Sequence, residues 1–319
     1  MHSMYVLVGF LLVLDIFLYK PAPSLTPNLK LWHDKGDFYT YKHFHIFYID
    51  EQTSVNNTQI LVCLHGYPTS SYDWVKIHDD LVKMFSRVIY IDFLGFGFSD
   101  KPRHYKYTIA EQADIIEAFL ESNGIDSYHI LSHDYGDTVA LELLSRFNSN
   151  KGKKIVSLAM MNGGIFPETN NPRPIQKLLL VPVLGSIISK MAFYHLFKFS
   201  FSEIFGTKKP STDELWDFWV VFEHKHGSSV SSELMQFIPE RTQYKKRWVG
   251  ALVKTTVPVT FIYGPADIIN PTQFITHYKK LLPKQDLSVL DDGVGHYPQW
   301  EAPVEVVKAY KKFLKKVIS

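Results

Sequence analysis

The chain of 319 residues contains one cysteine, Cys63. A single thiol excludes an intrachain disulfide framework and any cysteine-cluster metal site. An excess of one charge sign is also missing, since 34 Lys and Arg stand against 32 Asp and Glu. The net charge of +2 argues against nucleic acid as a partner, which would require a concentrated basic field. Gly-x-Ser-x-Gly occurs nowhere, which excludes the usual serine form of the nucleophile elbow. The Gly-rich segment Asp92–Pro102 is not followed by Gly-Lys-Ser/Thr, so it is not a phosphate loop. No His, Cys, Asp and Glu spacing suggests a metal, and there is no internal repeat. What is present is apolar: 46% of residues are hydrophobic, which excludes wholesale disorder. The aromatic share of 15% is high and needs a structural home.

The first apolar feature is Met4 to Tyr19, MYVLVGFLLVLDIFLY. As a helix these residues span about 24 Å, short of a hydrocarbon core of about 30 Å. Lys20 can snorkel and lengthen the effective span. A membrane anchor, a cleaved signal peptide and an amphipathic or buried helix all remain open. Against cleavage, the flank is a weak site and no Lys or Arg precedes the segment. Residues 21–27, PAPSLTP, read as a stiff linker. Residues 1–30 are therefore set apart from the folded body.

From about Gly36, strands and helices alternate. Phe38–Lys42 and Phe44–Asp50 suggest an antiparallel pair. Gln59–His65 is a continuous apolar run, as expected of a strand buried on both faces. Arg87–Asp92, Tyr128–Ser132, Ile155–Met161, Val257–Tyr263 and Asp286–Leu290 extend the set. Helical periodicity fills the gaps at Tyr72–Phe85, Ile109–Ser122, Asp137–Phe147, Thr272–Leu282 and Val304–Val317. This alternation implies an α/β fold with a mostly parallel sheet. Residues 167–249 break the pattern. They are strand-poor and carry Phe193, Tyr194, Trp216, Phe218, Trp219, Tyr244 and Trp248. An α-helical cap inserted into a core of residues 31–166 and 250–319 accounts for them. For any single aromatic there, a small satellite core is the plainer explanation.

The segment Ser132-His133-Asp134-Tyr135-Gly136 follows a strand and precedes a helix, with small residues flanking Asp134 by two on each side. That is elbow geometry with aspartate at its centre. A carboxylate there can attack an electrophilic carbon and form an alkyl ester. The alternative is an aspartate that caps the following helix. His65-Gly66-Tyr67-Pro68 follows the apolar strand, where this architecture places one oxyanion donor. The donors would be the backbone N–H groups of Tyr67 and Tyr135. His296 lies in a Gly-flanked loop between the last strand and the last helix, and Asp267 follows the strand before it. The chain order Asp134, Asp267, His296 then reads nucleophile, acid, histidine. A second place for the acid is Asn162, which is neutral and cannot fill the role. His133 reads as packed beside the nucleophile, Cys63 as inert core, and the Asp92 loop as support for the oxyanion loop.

The runs HGYP, DFLGFGFSDKP, SHDYGD, YGPADIINP and GHYPQWEAP together resemble the α/β-hydrolase superfamily, in its epoxide hydrolase and haloalkane dehalogenase branch. HGYPTSSYDW, NGGIFPE, ELWDFW and KRWVGAL more closely resemble the mesoderm-specific transcript family, from about residue 31 onward. The resemblance implies an eight-stranded sheet with a helical cap, no cofactor and an endoplasmic reticulum membrane location, with no natural substrate to carry over; a small hydrophobic substrate is the expectation here. Asp134, Asp267 and His296 fall on the superfamily's triad. Tyr135 stands where dehalogenases usually carry Trp, and Tyr67 where they favour Asn or Trp; both departures speak against dehalogenation. Epoxide hydrolases use two cap tyrosines as proton donors, and Tyr194 and Tyr244 are the candidates here. A cofactor-free oxygenase of the luciferase type and a catalytically silent, membrane-anchored scaffold for lipid or protein are the alternatives. Asn56-Asn57-Thr58 adds an N-glycosylation acceptor at Asn56.

Overall fold

The continuous apolar runs become the centre of one eight-stranded sheet. The computed structural model describes residues 22–318. The strands are β1 (Asp37–Tyr41), β2 (Phe44–Gln52), β3 (Ile60–Leu64), β4 (Arg87–Ile91), β5 (Ser127–His133), β6 (Lys154–Met161), β7 (Val259–Tyr263) and β8 (Asp286–Val289). Their spatial order is β1-β2-β4-β3-β5-β6-β7-β8. β2 runs antiparallel to both β1 and β4, and every other neighbouring pair is parallel. Leu61, Val62, Cys63 and Leu64 on β3 are fully buried, as a strand covered by helices on both faces must be. Cys63 is thus core, and burial pushes its thiol pKa up.

Two apolar layers enclose the sheet. One includes the helix Ile109–Ser122, whose Ile109, Ala113, Ile116 and Leu120 face inward at helical spacing. The other includes the final helix Pro303–Ile318, with Val306, Tyr310 and Phe313 turned to the sheet. The helix expected over Tyr72–Phe85 is instead a single 3-10 turn, Ser71–Trp74, and a short helix, His78–Leu81. Its first turn is held by local and distant polar bonds: Ser70 Oγ accepts from Tyr72 N, and the Asp92 carboxylate accepts from Ser71 N. These contacts compete with a regular helical ladder.

Between β6 and β7 the chain forms only helices, from Pro174–Leu179 to Lys245–Lys254. The last of these straddles the boundary expected at residue 249 and packs on the helix Tyr135–Asn148. The apolar segment Met4–Tyr19 lies outside the described residues. Among the described residues, no helix is long and apolar enough to cross a membrane.

Candidate active site

Asp134 stands at the turn between β5 and the helix Tyr135–Asn148 with φ 46° and ψ −103°. A positive φ is strained for a residue with a Cβ and is sustained only where the surroundings enforce it. Here the next turn is clamped. Gly136 N donates to His65 O, and a Cβ at Gly136 would lie 2.3 Å from Leu64 O. Only glycine lets the helix start that close to β3. The helix-capping alternative for Asp134 is excluded, because its side chain makes no cap hydrogen bond. Its Oδ2 instead accepts from the backbone N–H of Tyr67 at 3.1 Å. The N–H of Tyr135 opens the helix and has no acceptor within it.

His296 and Asp267 come to the same place from the loops after β8 and β7. His296 Nδ1 lies 2.8 Å from Asp267 Oδ2, and Nε2 lies 4.0 Å from Asp134 Oδ1. All three side chains are almost wholly buried. Burial opposes the imidazolium, but the carboxylates of Asp267 and Asp134 outweigh it and hold the His296 pKa above its ordinary value. Burial likewise opposes ionisation of Asp267; His296, the Ile269 N–H and Asn270 reverse that and hold its pKa low.

Asn162, too neutral to be the acid, has another place. Its Nδ2 donates to Asp267 Oδ2 at 3.0 Å and to the carbonyls of Gly264 and Gly295. Asn270 Nδ2 donates to the same Oδ2 at 3.1 Å. The two amides fix the carboxylate that fixes the histidine. The Asp92 loop buttresses the oxyanion side. Asp92 accepts from Ser71 N and Phe98 N, both at 2.7 Å, and Gly97 turns at φ 52° against that carboxylate. His65 Nε2 accepts from Phe93 N at 3.1 Å. His133 is fully buried, with Nε2 2.7 Å from His296 O.

A pocket opens onto Asp134, His296 and Tyr67. The inserted helices roof it with Leu179, Ile188, Leu196, Phe197, Phe201 and Phe222, so its ceiling is mostly apolar. Tyr194 and Tyr244, the expected cap contacts, do not line it. The Tyr194 ring packs edge-on against Trp216, and its hydroxyl donates to Thr212 O at 3.3 Å. Tyr244 is 40% exposed and packs on Trp248. Both rings serve the small aromatic clusters of the insertion, where stacking outweighs reaching inward. Tyr67 is the phenol in the lining, and burial raises its pKa, which keeps it protonated.

The sequence reading missed Arg241. It lies on the helix Phe237–Gln243, is 5% exposed, and reaches under the roof to the elbow. Nε donates to Thr138 Oγ1 at 2.8 Å, and Nη2 donates to Asp134 O at 3.1 Å and approaches Asp134 Oδ1 at 3.4 Å. Burial lowers its pKa, with Asp134 acting in the opposite sense.

The family model described as alpha/beta hydrolase fold matches residues 59–303. Haloalkane dehalogenase DatA of Agrobacterium tumefaciens has a similar fold, with a TM-score of 0.73 at 17% identity over 89% of this chain and 97% of that one. The mesoderm-specific transcript homolog proteins of Bos taurus and Homo sapiens are each 46% identical over 98% of this chain and 96% of their own length. With the alpha/beta hydrolase fold throughout its body, the chain belongs to the mesoderm-specific transcript family.

Proposed function

We propose that the protein hydrolyses a small hydrophobic or lipid-like substrate through a covalent ester on Asp134. The observation that supports this most is the orientation of that carboxylate. Oδ2 faces the Tyr67 N–H, while Oδ1 faces His296 Nε2 at the floor of an apolar pocket. In the first step Oδ1 forms a bond to a substrate carbon, and the leaving group departs with the bonding pair. In the second, His296 takes a proton from water, whose oxygen attacks the ester carbonyl carbon. Charge develops on Oδ2, where the N–H groups of Tyr67 and Tyr135 stabilise it. Collapse releases the alcohol and regenerates Asp134. Asp267 holds the imidazole in the required orientation and balances its positive charge.

Epoxide opening fits this scheme if the leaving oxygen receives its proton from Tyr67, because Tyr194 and Tyr244 are elsewhere. The reading includes attachment to the endoplasmic reticulum membrane through the N-terminal segment. In the His296→Ala variant the ester should persist, and mass spectrometry should find an adduct on Asp134 after incubation with a panel of lipid epoxides. Wild-type turnover in heavy-oxygen water should place the label in the Asp134 carboxylate. An unmodified Asp134 in both experiments would remove the proposal.

One contact favours the scaffold alternative. Arg241 already engages Oδ1, the oxygen that must attack. If Asp134→Asn retained full biological activity in cells, a binding role without catalysis would replace the enzymatic one.

A further inference from the structure

The inserted helices carry apolar side chains on two sides. Toward the core, Leu179, Ile188, Leu196, Phe197 and Phe201 line the pocket. Toward water, the same stretch leaves Val183 76%, Ile187 50%, Met191 55% and Phe199 65% exposed. Nine of the eighteen exposed large hydrophobic residues among the described ones fall between 178 and 199. A surface helix normally turns a polar face outward, so a helix apolar on both sides is built to be covered. A patch concentrated in this way marks an interaction surface.

Charge indicates the partner. From Thr169 to Ser202 there is no Asp or Glu, while Arg173, Lys177, Lys190 and Lys198 lie within the stretch. Arg173 is paired with Glu203, but Lys177 and Lys190 are exposed beside the apolar residues. Apolar side chains rimmed by lysine, without acid, complement an anionic lipid surface.

The described chain enters the fold against the neighbouring helix. Thr26 Oγ1 donates to Asp217 Oδ1 at 2.5 Å, and Asn28 Nδ2 to Asp217 Oδ2 at 3.3 Å. Asp217 lies on the helix Thr212–Glu223, which packs on the helix Tyr194–Ser202 through Phe197, Trp219 and Phe222. The first described residues therefore pack one helix away from the exposed apolar helices, on the face of Thr212–Glu223 that turns to Tyr72.

We infer that the outer face of the helices Leu184–Lys190 and Tyr194–Ser202 docks on an anionic lipid bilayer. Val183, Ile187, Met191 and Phe199 enter the acyl boundary, and Lys177 and Lys190 meet headgroup phosphates. The pocket on the inner side of the same helices then lies directly against the lipid. This contact is separate from the N-terminal segment and does not depend on Asp134 being a nucleophile.

The test uses the full chain with an environment-sensitive fluorophore on Ile187→Cys, on Phe199→Cys, or on Val304→Cys in the final helix as a control. Cys63 is fully buried and stays unlabelled. Vesicles of phosphatidylcholine, with and without phosphatidylserine, carry brominated acyl chains. Because the N-terminal segment can hold the protein on any vesicle, the label position separates tethering from docking. The expected result is a blue shift and bromine quenching at 187 and 199, stronger with phosphatidylserine, reduced by salt, and absent at 304. Water-exposed labels at 187 and 199 on vesicle-bound protein would overturn the inference. Equal signals on neutral and anionic vesicles would overturn the assigned lipid. A shift that needs no vesicles and grows with protein concentration would assign the face to a second copy of the chain.

Discussion

Asp134 serves two purposes that oppose each other. Its strained backbone presents the carboxylate to the pocket, yet Arg241 binds both its carbonyl and one carboxylate oxygen. Removing one member of a buried ion pair leaves the other charge without a partner, at a cost of about 3 kcal/mol or more. Arg241→Met should therefore lower stability by about that amount, read from urea unfolding followed by circular dichroism. A stability equal to the wild type would mean that the guanidinium is not holding the elbow. In the proposed reaction His296 sets the pH dependence. Asp267 and Asp134 raise its pKa in the free protein, and in the proposed reaction the water-activating form is the neutral ring. With Asp134 esterified, Asp267 remains the charge that holds the acid limb of kcat up. Asp267→Asn should move that limb to lower pH and reduce kcat on the order of ten-thousandfold, as pH–rate profiles would show. Asp134, Asp267 and His296 were legible because each follows a strand in a short motif. Arg241 and Asn162 were not, since their contacts join positions about a hundred residues apart and no local pattern marks them.

The helix Lys245–Lys254 shows what fastens an inserted element to the core. Glu142, on the helix after the elbow, accepts from Arg146 Nε at 2.9 Å, Arg247 Nε at 2.6 Å and Trp248 Nε1 at 2.8 Å. Burial raises the Glu142 pKa, but the bonds from Arg247, Trp248 and Arg146 lower it more. A carboxyl whose folded pKa is depressed contributes stability above its unfolded value of 4.5, and loses it as pH falls through the folded one. Glu142→Gln should cost roughly 2 kcal/mol near neutrality. The difference from wild type in urea midpoint should shrink below about pH 4.5, the ordinary glutamate value. A constant difference across that range would show that the bonds, rather than the charge, fasten the helix. Periodicity gave the helix Ile109–Ser122 to the residue, because its apolar stripe and Thr108 cap are local. It failed at Tyr72–Phe85, where Asp92, distant in sequence, takes the backbone N–H of Ser71. It also could not aim Tyr194 and Tyr244, because the facing of a helix in an insertion depends on what it packs against.

Across the whole molecule, strand direction divides the surface into two ends. The site lies at the carboxyl ends of β3, β5, β6, β7 and β8, beneath the inserted helices. Strand order could not be read from the chain; the parallel crossovers are set by how the helices pack. Once the order is known, the exposed Asn56 acquires a position. It precedes β3, so it lies at the amino end of the parallel strands, away from the roof and from the Thr26–Asp217 junction. A glycan there would point away from a bilayer held at the roof, and we propose that the folded body faces the lumen, where Asn56 is accessible to the transferase. Full-length protein made in mammalian cells should therefore lose mobility-shifted material on endoglycosidase treatment. Asn56→Gln should abolish the shift while leaving the protein in the membrane fraction. If wild type and Asn56→Gln migrate alike, either the folded body faces the cytosol or Asn56 is left unmodified. Labelling with a membrane-impermeant reagent in sealed microsomes separates those two outcomes. Protection of a cysteine placed at Val304 keeps the lumenal orientation, and its modification removes it.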